Sequence, residues 1–201
     1  IIGEKFIDRQ PVCMILGDNI FYGHGLPGQL RKASEIMDGA VVFAYPVRDP
    51  ERYGVVEFDA DFNALSIEEK PTTPRSNYAV PGVYFYDRRV TALARSLNPS
   101  PRGELEITDL NRLYMAEGKL QVQVLGRGVA WLDAGTHESL LQAATFVQTV
   151  EERQGMMVSC PEEIAYRMGF IDNAQLRREA ARMNGNAYGA YLLRLADGKM
   201  D

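Results

Sequence analysis

Val12-Cys13-Met14-Ile15-Leu16-Gly17-Asp18-Asn19 runs apolar from Val12 to Leu16 and then stops on Gly-Asp-Asn. A short apolar run without alternation, closed by turn residues, predicts a buried strand over 12–17. Working outward, residues 26–38 carry Leu26, Leu30, Ala33 and Met37 at helical spacing. Residues 40–47, Ala-Val-Val-Phe-Ala-Tyr-Pro-Val, predict a second buried strand. Strands at 53–59 and 64–69 flank Asp59-Ala60-Asp61-Phe62-Asn63, which has the composition of a hairpin turn. A Tyr- and Val-rich strand is expected over 78–86. Asp87 can cap a helix over 88–97, and a further helix covers about 106–117 and stops before Gly118. Residues 120–125 alternate like a strand, and 129–132 form a short one ending in Asp133.

From Thr136 the pattern turns helical, with Leu140, Ala144 and Val147 on one face. Past Gly155 the strand signals fade. Pro161 opens a short helix that Gly169 stops, and helical stretches follow at about 172–183 and 187–195. Strand–helix alternation predicts an α/β fold, a mixed and mostly parallel sheet flanked by helices, over residues 1–150. Residues 151–201 read as a C-terminal helical appendage.

Composition narrows the chemistry. The net charge of −5 argues against a nucleic-acid surface. No apolar run approaches the roughly 18 residues of a membrane span. Cys13 and Cys160 form no CxxC pair and read as reduced and cytosolic. The two histidines, His24 and His137, lie in no zinc pattern. A chain that begins at Ile1 rather than Met reads as truncated or processed.

Five stretches carry candidate chemistry. Asp18 and Asp133 each end an apolar strand run, where open α/β sheets bind ligands. Mg²⁺ takes one or two carboxylates plus substrate phosphates, which two such residues would suit, although either could simply cap its turn. Glu68-Glu69-Lys70-Pro71 closes a strand; the ammonium could take a phosphate and the carboxylate accept from sugar hydroxyls, or the two could be an exposed ion pair. Arg52-Tyr53-Gly54-Val55-Val56 holds a glycine that lets backbone approach a ligand, or merely kinks a strand start. The acids of Arg102-Gly103-Glu104-Leu105-Glu106-Ile107-Thr108-Asp109 could line a site or be the solvated first turn of a helix.

Taken together and in order, these motifs resemble those of the sugar-1-phosphate nucleotidyltransferases from about residue 12 to about 195. The matching stretches are Leu16-Gly17-Asp18-Asn19, Asp49-Pro50-Glu51-Arg52-Tyr53-Gly54-Val55-Val56, Glu68-Glu69-Lys70-Pro71, Gly103–Thr108 and Trp131-Leu132-Asp133-Ala134-Gly135-Thr136. Gly17–Gly23 and Cys160-Pro161-Glu162-Glu163-Ile164-Ala165 narrow the resemblance to the thymidylyl type. It implies a Rossmann-like nucleotide-diphospho-sugar transferase fold. It also implies a reaction, dTTP plus glucose 1-phosphate giving dTDP-glucose and pyrophosphate, the first step toward dTDP-rhamnose. By the same resemblance, Asp18 and Asp133 hold catalytic Mg²⁺ and Lys70 joins them in catalysis. Leu16, Tyr53, Gly54, Glu69, Lys70, Val80, Tyr84 and Trp131 match the sugar-phosphate pocket. Gly126, Arg127, Glu162, Glu163 and Arg167 match a regulatory nucleotide site near a subunit contact of a cytoplasmic homotetramer.

One departure is large. The family opens with a strand and a loop of the type Gly-Gly-x-Gly-Thr-Arg-Leu, whose backbone N–H groups bind the triphosphate. No such stretch occurs here, and Gly23-His24-Gly25 and Gly126-Arg127-Gly128 are too short to replace it. The chain by itself is therefore expected to be inactive and poorly soluble. Two other readings stand beside the thymidylyl one: a uridylyl or cytidylyl transferase, and a non-catalytic module that binds sugar phosphate or nucleotide.

Overall fold

The computed structural model describes residues 1–199 except 102 and 184. Arg102, quoted above at the head of the acidic stretch, lies outside the described residues. The chain divides into two compact units, Ile1–Ser139 and Leu140–Asp201.

The first unit begins with a single turn, α1 (Glu4–Ile7), followed by β1 (Val12–Ile15), β2 (Asn19–Gly23) and α2 (Leu26–Ser34). β3 (Ala40–Pro46), a 3₁₀ turn at Pro50–Arg52, and the hairpin β4 (Gly54–Phe58) and β5 (Ala64–Glu69) come next. Then follow β6 (Tyr78–Ala79), β7 (Val83–Tyr86), α3 (Val90–Arg95), α4 (Ile107–Ala116), β8 (Leu120–Val124) and β9 (Val129–Asp133). The main sheet runs β1-β7-β3-β6-β4-β5, with β8 also paired to β3, and β2 pairs with β9 in a separate ribbon.

The α/β class and the mixed sheet are as expected, but the predominance of parallel pairing is not. β3–β8 is the one parallel pair described, and every other pair is antiparallel. The connections explain it. The short connection from β4 to β5 makes that pair a hairpin, while β7 and β6 return antiparallel to β3 and to β1 or β4 across longer stretches of chain. Between β3 and β8 the chain has room for α3 and α4.

β3 organises the core because both of its faces are covered. Ala40, Val42 and Ala44 pack to one side with Tyr84, Tyr86, Leu110 and Tyr114, so α4 lies over that face. Val41 and Phe43 pack to the other with Leu26, Ala33, Val83 and Phe85, where α2 lies. The unbroken apolar run of β3 is the sequence form of that double burial. The similar run at β1 has another fate: Met14 and Ile15 are exposed, because β1 is an edge strand hydrogen-bonded to β7 alone in the main sheet. The expected strand over 78–86 is broken in two at Val80-Pro81-Gly82. Pro81 has no N–H to give a ladder, and Gly82 turns its own N–H to Asn19 Oδ1 at 2.9 Å.

Behind β7, Asp87 is buried and fully engaged. Its carboxylate accepts from the Gly39 N–H at 2.7 Å, the Arg89 N–H and Nε at 2.8 and 2.9 Å, and the Tyr114 hydroxyl at 2.9 Å. Burial works against its charge, but these donors together hold its pKa below the ordinary carboxylate value. A depressed carboxylate contributes stability that is present above its unfolded pKa of about 3.9 and is lost as pH falls through the lower folded value. Asp87→Asn places an amide against the Gly39 and Arg89 donors. It should cost about 2 kcal/mol at neutral pH and flatten the acid limb of stability against pH, as read by urea melts from pH 3 to 7.

The second unit contains most of α5 (His137–Gln154), then α6 (Pro161–Arg167), α7 (Asn173–Arg182) and α8 (Ala187–Ala196). Leu176 and Ala180 of α7 meet Tyr191, Leu192 and Leu195 of α8, and Cys160 is buried beside them. Asp172 and Gln175 form a capping box on α7, and Asn186 caps α8.

Candidate active site

The β2–β9 ribbon brings the two strand-end aspartates together. Asn19 lies opposite Asp133 in its register, and the Ala134 N–H donates to the Asp18 carbonyl at 2.7 Å. A Cβ built on Gly135 would lie 3.2 Å from Asp133 Oδ1 and 3.5 Å from Asp18 Oδ2. Two carboxylate oxygens from positions 115 residues apart thus flank one point, and a side chain at 135 would crowd it. Two hard oxygen donors with open space beside them suit a divalent cation that keeps waters and substrate phosphates as its other ligands.

Both aspartates open on a cavity of about 230 Å³ in the first unit. That is below the roughly 300 Å³ at which pockets for drug-sized ligands begin. The β4–β5 hairpin supplies Gly54, Glu69 and Lys70, and the 3₁₀ turn before it supplies Arg52 and Tyr53. The break between β6 and β7 supplies Val80 and Gly82, β7 supplies Tyr84, and Leu16 and Trp131 complete that part of the wall. Every position that the resemblance assigns to metal or sugar phosphate therefore lines a single cavity.

The wall is held by specific contacts. Trp131 packs against Tyr53 and Tyr45 with ring centroids 5.0 and 5.7 Å apart, and its Nε1 donates to Asn19 Oδ1 at 2.7 Å. Asn19 Oδ1 also receives the Gly82 N–H, while Asn19 Nδ2 donates to Asp18 Oδ1 at 2.8 Å. Thr108 Oγ1 donates to Glu69 Oε2 at 2.5 Å, which fixes one oxygen of that carboxylate. Lys70 follows in a left-handed conformation, φ 43°, with its N–H on the Tyr53 carbonyl at 3.0 Å. Burial first, then the nearby carboxylates of Glu69 and Asp18, raise the pKa of the Tyr84 phenol, so it stays a donor at neutral pH.

Asn19, Gly82, Ile107, Thr108 and Asn111 also line the cavity, and the sequence alone attaches no role to them. Asn19 and Thr108 stand inside the quoted motifs, so the signal was present without a role attached. Asn111 and Gly82 carry no local signal.

The remaining expected positions lie elsewhere. Gly126 and Arg127 are exposed in the turn between β8 and β9. On α6, Glu162 accepts from the Tyr188 hydroxyl at 2.5 Å, and Glu163 accepts from the Tyr191 hydroxyl and from Arg167 Nε at 2.7 Å. Burial, then the bond to Glu163, pushes Tyr191 up to about 12. In this unit the two glutamates pin α6 to α8.

Two carboxylates at one end of the β2–β9 ribbon and the Glu69-Lys70 stretch thus share one cavity, and comparison gives the class of protein. The chain belongs to the nucleotidyl transferase family, whose model matches residues 1–150. Over nearly its whole length it resembles glucose-1-phosphate thymidylyltransferases. The protein of that name from Neisseria meningitidis serogroup A is 56% identical over 195 residues, covering 97% of this chain and 68% of the relative. That from Xanthomonas campestris pv. campestris strain B100 is 57% identical over 196 residues, covering 98% and 66%. The chain thus spans about two thirds of the length of the curated relatives it matches. Among solved structures, a Bacillus anthracis protein assigned as a glucose-1-phosphate thymidylyltransferase, in complex with sucrose, aligns with TM-score 0.62 and 40% identity. That alignment covers 72% of this chain and 57% of the other. Among the described residues no helix is long and apolar enough to cross a membrane.

Proposed function

We propose that this chain carries the sugar-phosphate and metal half of a thymidylyltransferase site, which joins dTTP and glucose 1-phosphate into dTDP-glucose and releases pyrophosphate. The observation that carries the reading is the convergence of Asp18, Asp133, Glu69 and Lys70 on one cavity. Glu69, held by Thr108, accepts from sugar hydroxyls. Lys70 meets the phosphate of the sugar. Trp131, braced by Asn19 and Tyr53, walls the ring. The nucleophile is a phosphate oxygen of glucose 1-phosphate, already an anion at neutral pH, so no side chain has to remove a proton. Its new bond forms at the α-phosphorus of dTTP as the bond to the departing pyrophosphate breaks.

Repulsion between two anions is the obstacle, and Lys70 lowers it from one side. Asp18 and Asp133 would hold Mg²⁺, which when bound supplies positive charge to the phosphates. Gly126, Arg127, Glu162, Glu163 and Arg167 are proposed to contribute to a second, regulatory nucleotide site in a homotetramer. The two free cysteines fit a cytoplasmic enzyme.

The test is a product assay with glucose 1-phosphate and Mg²⁺, offering dTTP, UTP and CTP in parallel. It is run on this chain and on one extended to the relatives' full length. Formation of dTDP-glucose by the extended chain, with dTTP clearly preferred, is expected. Preference for UTP or CTP would move the assignment to another nucleotide. No product with any of them would favour a binding module.

A further inference from the structure

Asn111 sits one turn beyond Thr108 on α4, on the same face of the helix, and both line the active-site cavity. It is 1% exposed. Its Oδ1 accepts from the Tyr86 hydroxyl at 2.8 Å. Tyr86 is itself buried, and burial raises its pKa, so the phenol keeps its proton and requires that acceptor. This fixes the orientation of the amide: the oxygen faces Tyr86 and Nδ2 faces away from it. Nδ2 is buried and meets no acceptor among the described residues. A buried donor left unpaired is costly, and native structures rarely tolerate one without a use for it.

The neighbours restrict what the missing acceptor can be. Thr108, on the same helical face, already gives its hydroxyl proton to Glu69, so α4 brings to the cavity wall both the group that holds a carboxylate and a buried amide donor without an acceptor. A carboxylate accepts from a hydroxyl and an amide N–H donates to one. This pairing recognises neutral hydroxyl groups of a polyol, each of which can both donate and accept. The phosphate, by contrast, belongs beside Lys70 and the aspartates.

We propose that Asn111 is a specificity-determining residue of the sugar subsite, its Nδ2 donating to one ring hydroxyl of the hexose phosphate. This rests on the sugar-phosphate reading of the cavity. A site built to hydrogen-bond a substrate hydroxyl discriminates strongly against the analogue that lacks it, because the buried partner is then left unpaired. The parent sugar should therefore be favoured over one particular deoxy analogue, and that preference should be encoded at position 111.

The experiment is calorimetric titration of the chain with glucose 1-phosphate and with the four analogues lacking the hydroxyl at C2, C3, C4 or C6. It is repeated with Asn111→Leu, which keeps the shape and removes the donor, and with Asn111→Asp, which keeps the acceptor for Tyr86. The unmodified chain should bind one analogue at least about tenfold more weakly than the parent sugar. In either variant the parent sugar should weaken by a similar factor, and the preference at that hydroxyl should vanish while those at the others remain. Equal binding of all analogues by the unmodified chain overturns the proposal without any variant. So does a preference pattern that survives unchanged in whichever variant folds. Failure of the unmodified chain to bind any hexose phosphate overturns the sugar-phosphate reading itself, and the proposal with it.

Discussion

Replacing Asp133 by Asn is expected to lower thymidylyl transfer by about 10³-fold in a chain of the relatives' full length, at saturating Mg²⁺ and both substrates. That is the order seen when one preorganised electrostatic contact to a transition state is lost. Asn is chosen because it isolates charge. Asp133 accepts the Gly135 N–H at 3.2 Å, and the Asn side-chain oxygen can accept the same bond, so a turn-capping role would survive the change. What Asn cannot do is serve as one of two anionic oxygens facing a cation across Gly135. Asp18→Asn should behave alike, and the double variant should lose little more than either single one, since one ligand set is destroyed in each case. The readout is turnover by pyrophosphate release, paired with Mn²⁺ binding by electron paramagnetic resonance. Normal turnover with Asn at either position would assign both residues to their turns.

The second large effect concerns Lys70, where stability and function are expected to move in opposite directions. Its φ of 43° places a non-glycine residue in the left-handed region, a conformation costing about 1–2 kcal/mol, directly before Pro71, which further restricts it. The hairpin maintains this geometry through the Lys70 N–H bond to Tyr53 and the pairing of Glu69 with Gly54. Strain held at a residue that lines the cavity is the pattern of a side chain kept in place for a ligand.

Lys70→Gly should therefore leave stability unchanged or raise it by up to about 1 kcal/mol, the relief being partly offset by greater freedom of the unfolded chain. The same substitution should weaken glucose 1-phosphate binding by at least ~1.5 kcal/mol and lower turnover by about 10²-fold. Lys70→Ala should lose the same function without the gain in stability. Urea melts and calorimetric titration on the three proteins separate the effects. Unchanged affinity would leave Lys70 as an exposed cation with no part in binding.

How far the sequence disclosed this arrangement depended on whether each signal is local. The strand ends at Asp18 and Asp133, the Glu-Lys-Pro exit of the hairpin and the Tyr-Gly start of β4 are legible because a turn residue after an apolar run marks a sheet end. Strand pairing is not local. β2 has no local signature, since Asn19–Gly23 is flanked by glycines and looks like loop, and its partner β9 begins more than a hundred residues later. The antiparallel bias of the main sheet was hidden for the same reason. β1 read as buried because Val12–Leu16 is as apolar as β3, and composition does not distinguish an edge strand from a central one. Asn111 was invisible because a polar residue in an amphipathic helix reads as surface, and only the packing of α4 against Tyr86 turns it inward.

The central claim, that metal and sugar phosphate share the cavity between the β2–β9 ribbon and the β4–β5 hairpin, is tested most directly by a crystal structure with dTDP-glucose and Mn²⁺. The account predicts an anomalous peak between Asp18 Oδ2 and Asp133 Oδ1, at the roughly 2.1–2.2 Å oxygen distances of a small divalent ion. It also predicts the hexose against Glu69, Trp131 and Asn111. A metal bound elsewhere, or a sugar outside this cavity with Asp18 and Asp133 occupied only by their own turns, would contradict it.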